Sequence, residues 1–278
     1  MMNNADDDQN DESDDLYGLF ICEDYQERLF QFEELSQAVL CSGMSSTAHD
    51  LTGQIVWPAC VLLSWFIYRH KDLFSGKVVL ELGAGCGLAG LVASNYSDHT
   101  YITDGNDVVL RLLHRNKAHL KRDNITISKL MWGAVGDIEN LFPAGDSSVV
   151  YPDVIIGADV ILWPNQVFSL LYTIRSLLLL RGGITATTRS NMPSCYISYI
   201  VRATSTTELL HATAVTVGLR IDQLDVDSFL PTNCRDFDSL QKQLFRITVD
   251  DAAIMDDIHN SPAFRESMRS MLTAALPC

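Results

Sequence analysis

Basic residues are scarce in this chain: 20 Lys and Arg stand against 35 Asp and Glu, a formal net charge of −15, and none precedes Arg28. Binding nucleic acid through its phosphates needs clustered cations, so no nucleic-acid partner is expected. A basic protein partner is compatible with the acid excess, which equally serves solubility. Long apolar runs are missing too. Ala59–Tyr68 is too short to cross a bilayer and Val167–Leu180 is interrupted by Arg175, so no membrane partner is expected. No apolar leader precedes Leu16. The seven cysteines are odd in number and scattered, with no C-x-x-C and no nearby His pair, which argues for reduced thiols and against a metal site. The seven histidines lack ligand spacing, and no Ser-His-Asp arrangement is evident. From these absences a cytoplasmic chain is expected, with the nucleus as a further location.

What is present divides the 278 residues unevenly. Asp6, Asp7, Asp8, Asp11, Glu12, Asp14 and Asp15 make residues 1–15 an acidic tail too charged to pack. Two short apolar runs, Leu16–Cys22 and Arg28–Phe32, predict a strand pair within an extension over 16–50, followed by a polar loop at Ser42–Asp50. Residues 51–250 form the main domain, and 251–278 a C-terminal tail. Within the domain Pro58 opens a helix to about His70. Strands at Val78–Leu82, Thr100–Thr103, Ile125–Leu130 and Val154–Ile156 then alternate with helices from Gly87, over Asn106–Leu120, and along the Val167–Leu178 stripe. Beyond Gly182-Gly183 the pattern predicts a strand at Ile184–Thr188, a helix at Tyr196–Leu210, and strands near Ala214–Val217 and at Leu244–Val249. Such a series is an α/β fold of Rossmann type, with a mostly parallel sheet and helices on both faces.

The most informative run is Val78-Val79-Leu80-Glu81-Leu82-Gly83-Ala84-Gly85-Cys86-Gly87-Leu88-Ala89-Gly90. It reads as a buried strand breaking into a glycine loop that starts a helix, which lets backbone approach a ligand closely. Asp104, about twenty residues past the glycines, ends the next apolar run, where an acid bonds ribose hydroxyls. Gly85-Cys86-Gly87-Leu88-Ala89-Gly90 also satisfies the dinucleotide pattern G-x-G-x-x-G. Glu81 tips the choice, because a carboxylate repels a pyrophosphate but not the ammonium and sulfonium of S-adenosylmethionine. Glu81, Asp104 and Asp159 all follow or end apolar strands, so all three are expected at one crevice.

These residues resemble the class I S-adenosylmethionine-dependent methyltransferases, and within them the lysine methyltransferase-like branch called methyltransferase family 16. Three segments carry the resemblance: Thr52-Gly53-Gln54-Ile55-Val56-Trp57-Pro58-Ala59, the glycine loop with Thr103-Asp104-Gly105-Asn106, and Asp153-Val154-Ile155-Ile156-Gly157-Ala158-Asp159 with Trp163-Pro164. The resemblance implies that 51–250 is a methyltransferase domain. It implies that Gly83, Gly85 and Gly87 approach the methionine portion of the cofactor, with Glu81 holding its amino end directly or through water. Asp104 would bond the ribose, Trp132 line the adenine site, and Trp57 close over the methionine end. Asp159 would orient the acceptor. The related lysine enzymes carry acid-x-x-aromatic here, whereas this chain reads Asp159-Val160-Ile161-Leu162, which removes a ring that packs an alkylammonium stem.

Methyl transfer from a sulfonium is an in-line displacement, so alignment and a neutral nucleophile are what the protein must supply. The resemblance favours transfer to a protein lysine. A small-metabolite transferase and a noncatalytic cofactor-binding adaptor are the alternatives, the latter favoured by Leu162.

Overall fold

The computed structural model describes residues 25–43, 52–143, 145–180, 192–232, 234, 237 and 239–250. Two antiparallel strands come first, β1 (Tyr25–Phe32) and β2 (Leu35–Ser42), with Tyr25 opposite Ser42 and Phe32 opposite Leu35. The partner of the Arg28–Phe32 run is therefore Leu35–Ser42; Leu16–Cys22 lies outside the described residues, as do the two tails, 1–15 and 251–278. The sequence hid β2 because its inward face reads Gln37, Val39, Cys41, and a buried glutamine breaks the apolar alternation. Ser42, expected to open a loop, is instead the last residue of that strand.

Pro58 starts α1 (Pro58–Arg69), where its missing N–H costs no helical bond, and Leu62, Leu63, Phe66 and Ile67 bury one side. The strands β3 (Val78–Leu82), β4 (His99–Asp104), β5 (Ile125–Lys129), β6 (Val154–Ala158), β7 (Ser194–Ile200), β8 (Leu219–Leu224) and β9 (Lys242–Val249) form one seven-stranded sheet. Their order is β5-β4-β3-β6-β7-β9-β8. Neighbours from β5 to β7 run parallel, and β9 is antiparallel to both β7 and β8.

Helices α2 (Leu88–Ala93), α3 (Asp107–Leu120), α4 (Val135–Leu141), α5 (Val167–Leu178) and α6 (Thr204–Thr216) link the strands. Adjacent β3 residues feed two cores, as the pleat requires. Val79 joins Leu62, Leu91 and Leu112 on one face, and Leu80 joins Leu170, Ile174 and Leu210 on the other. Both faces are thus covered, as parallel strands demand. None of the described helices is long and apolar enough to cross a membrane.

The C-terminal third corrects the sequence reading. Tyr196 opens no helix: Ser194–Ile200 is a strand, the helix is Thr204–Thr216, and Ala214–Val217 falls at that helix's end, with β8 following. The expected strand Ile184–Thr188 lies outside the described residues. Every residue of β7 is buried, so its apolar run carries no period of two, and only its β-branched and aromatic content marks it as strand.

The doubly wound architecture with a separate strand pair is the one the sequence pattern predicted. The chain proceeds from β3 outward to β4 and β5, then returns to β6 on the other side of β3. Ligands in such sheets bind where the strand order reverses, at the carboxyl ends, here between β3 and β6.

Candidate cofactor and acceptor site

At that reversal the loop after β3 makes two close approaches. Gly85 has φ 53°, and a Cβ there would lie 3.0 Å from the Gly53 carbonyl, so the Thr52–Gln54 turn rests directly on the loop. Gly83 has φ 58°, and a Cβ there would meet Trp132 Cζ2 at 2.8 Å and Val160 Cγ1 at 2.9 Å. Any side chain at Gly83 would occupy the space that brings Trp132 onto the loop. The turn carrying Trp132 is pinned on both sides, since Asp137 Oδ2 accepts from Met131 N–H (2.9 Å) and Thr173 Oγ1 from Gly133 N–H (2.8 Å).

Asp104 ends β4 and braces the same loop. Its Oδ2 accepts from Gly85 N–H at 3.1 Å and its Oδ1 from Asn106 N–H at 2.9 Å. Burial raises its pKa above the usual aspartate value, while these amides pull the other way. The Gly105 amide bears on the same carboxylate, and of its four lone-pair sites at least one is left to receive a ribose hydroxyl.

Glu81 is placed differently from Asp104. It is 1% exposed, lies within β3, and its Oε2 accepts from Gly90 N–H of α2 at 3.0 Å. Burial pushes its pKa to about 8 against that bond, and the nearby Asp104 adds to the rise. Its carboxyl is enclosed between β3 and α2, behind the glycine loop.

Trp57 leads into α1, with its indole N–H donating to the Thr52 carbonyl at 2.9 Å. Asp159 follows β6 directly in a left-handed conformation, φ 59°, and its backbone N–H donates to the Ser198 carbonyl at 2.9 Å. Its carboxylate meets a residue that the sequence reading did not single out. Arg202 Nη1 donates to Oδ1 at 2.7 Å and Nη2 to Oδ2 at 2.5 Å, and its guanidinium lies 5.5 Å from the Trp57 ring centroid. Register was the available signal: β6 and β7 pair with Ala158 opposite Ser198, so a cation just past β7 falls beside an acid just past β6. Assigning 196–210 to a helix concealed it. Leu162 is half-buried and Trp163 is exposed.

The residues present suit a nucleoside with a sulfonium amino acid. Asp104 has acceptor capacity for a ribose, the loop and Trp132 meet at Gly83, and Trp57 and Asp159 lie together through Arg202. Among the described residues there is no group of His, Cys, Asp and Glu that could hold a metal ion.

Residues 44–202 match the family described as "Lysine methyltransferase". The protein-lysine N-methyltransferase EEF2KMT of Bos taurus is 27% identical over 194 residues, which cover 61% of this chain and 53% of that protein. The protein N-lysine methyltransferase METTL21A of Danio rerio is 34% identical over 126 residues, covering 44% of this chain and 54% of that one. The histone-arginine methyltransferase METTL23 of Mus musculus is 28% identical over 159 residues, covering 54% and 60%. The chain thus spans little more than half the length of these curated relatives.

Proposed function

We propose, from the premise that this chain belongs to the lysine methyltransferase family, that it uses S-adenosylmethionine to methylate a protein side chain, lysine in the first place. The observation that carries the reading is the glycine loop braced by Asp104 and faced by Trp132 at the reversal between β3 and β6. The bound cofactor supplies a methyl group already activated on sulfur. Asp104 would accept from the ribose hydroxyls, Trp132 would line the adenine site, and the backbone of Gly83, Gly85 and Gly87 would admit the methionine portion. Glu81 would support its amino end, and Trp57 would cover that end. Asp159 would accept an N–H of the acceptor and orient its nitrogen for the transfer. The partner is a protein, its basic character suited to the acid excess, and the setting is the cytoplasm or nucleus.

Calorimetry tests the cofactor: S-adenosylhomocysteine should bind and NAD should not. Incubation with tritiated S-adenosylmethionine and total cell-extract protein, followed by acid hydrolysis, should place label in methyllysine. Leu162, where the lysine-directed motif has an aromatic, supports a second reading as a noncatalytic cofactor-binding adaptor. That reading predicts binding without label.

A further inference from the structure

Asp159 cannot act at the acceptor as an isolated charge. Its side chain is only 5% exposed and both oxygens are forked by Arg202, itself 35% exposed. Arg202 Nη1 also donates to the Ile200 carbonyl at 3.2 Å, which ties the guanidinium to the end of β7. The same guanidinium lies against Trp57, so one cation joins the residue assigned to the cofactor end with the residue assigned to the acceptor.

We infer that Arg202 governs the charge of the acceptor, pairing with Asp159 so that a neutral amine is favoured there over an ammonium. This rests on the transfer reading above. Transfer forms a nitrogen–carbon bond from the lone pair of the acceptor nitrogen while the carbon–sulfur bond breaks and its electron pair stays on sulfur. The methylated nitrogen then releases a proton to solvent if it is to be neutral again. An ammonium has no lone pair to give. A bare carboxylate beside a lysine would stabilise that unreactive form and raise its pKa by about 1 to 3 units. A guanidinium forked on the carboxylate cancels this attraction and keeps Asp159 available as a hydrogen-bond acceptor through its remaining lone pairs.

The other ionisable groups nearby do not substitute for Arg202. Tyr199 of β7 faces Arg202, and Cys60 of α1 faces Asp159 and Glu81. Burial pushes the Cys60 thiol up to about 12, leaving it neutral. Glu81, pushed up to about 8 by burial, holds its proton at neutral pH and brings little charge to the pair.

The test compares wild type with Arg202→Met, which removes the charge, and Arg202→Lys, which keeps it without the fork. S-adenosylhomocysteine affinity by calorimetry monitors the integrity of the site and should stay within about threefold. Transfer from tritiated S-adenosylmethionine to total cell-extract protein is then followed from pH 6.5 to 10. Below the acceptor pKa the neutral fraction falls tenfold per unit, so Arg202→Met should transfer about tenfold less at pH 7, its rising limb displaced up by about one unit. The deficit should hold along that limb and narrow only as pH passes the ordinary lysine value of about 10.4. Arg202→Lys should keep the wild-type limb. No deficit, or an Arg202→Lys protein as slow as Arg202→Met, overturns the inference while leaving the transfer reading intact. A wild type that neither binds S-adenosylhomocysteine nor transfers label removes the transfer reading, and the role of Arg202 with it.

Discussion

Asn116 lies on the buried side of α3, where its Oδ1 accepts from Leu40 N–H at 2.7 Å and its Nδ2 donates to the carbonyls of Leu40 (3.1 Å) and Cys86 (3.0 Å). One amide thus ties the strand pair to the helix and to the glycine loop. Asn116→Ala leaves those backbone groups without their partner and should lower stability by about 2 to 3 kcal/mol, read from the urea midpoint. A loss below about 0.5 kcal/mol, the level of an ordinary surface change, would show that other groups or water replace the amide. Glu81 predicts a pH effect. A carboxyl whose folded pKa exceeds its unfolded value holds its proton more tightly in the folded chain, so its contribution is complete below about pH 4.5 and is lost as pH climbs through about 8. Wild type should lose stability across that window by up to about 1.4 kcal/mol per unit, and Glu81→Gln should lose less. Parallel curves for the two proteins would refute this. Asp104→Ala should weaken S-adenosylhomocysteine binding by about 1 to 3 kcal/mol through lost ribose bonds, a change calorimetry resolves.

The loop after β3 works only if the turn at Thr52–Gln54 can lie on it. Gly85→Ala forces a side chain into a left-handed backbone at a cost of about 1 to 2 kcal/mol, and drives its Cβ to 3.0 Å from the Gly53 carbonyl. Reduced melting temperature together with at least tenfold weaker S-adenosylhomocysteine binding is expected; unchanged affinity would mean that the turn is not part of the site. This loop was legible in the sequence because glycine spacing and the acid of β4 are local signals. So were α1 and α3, the first from Pro58 and the second from Asn106, whose Oδ1 accepts from Val108 and Val109 N–H as an N-cap. The elements that escaped lack such marks. Gln37 interrupts the inward face of β2, β7 is buried on both faces, and α6 begins at Ala203 without a side-chain cap. Arg202 escaped with β7, since its meaning depends on which strand it follows. Nor does anything local in the sequence mark Asn116, a polar residue amid solvated neighbours whose partners are 30 and 76 positions away.

Cofactor binding should register across the molecule as well as in the crevice. A ligand that binds the folded state alone, at about 100 times its dissociation constant, adds about 2.7 kcal/mol. For a chain of this size that is about 5 to 10 °C in melting temperature. S-adenosylhomocysteine should give this shift and NAD none; the reverse would reassign the glycine loop to a dinucleotide. The sheet order has a further consequence, for the making of the protein. Among the described residues β9 is the last strand, and it lies between β7 and β8, so β8 has no described neighbour in the sheet until residues 242–249 arrive. During synthesis from the amino end, β3 to β7 can assemble first, while β7 presents an unpaired apolar edge and β8 waits on its helix. A message truncated before Lys242 would therefore do more than shorten the product: it would release a chain with that edge permanently open, a template for aggregation and a substrate for chaperones and proteases.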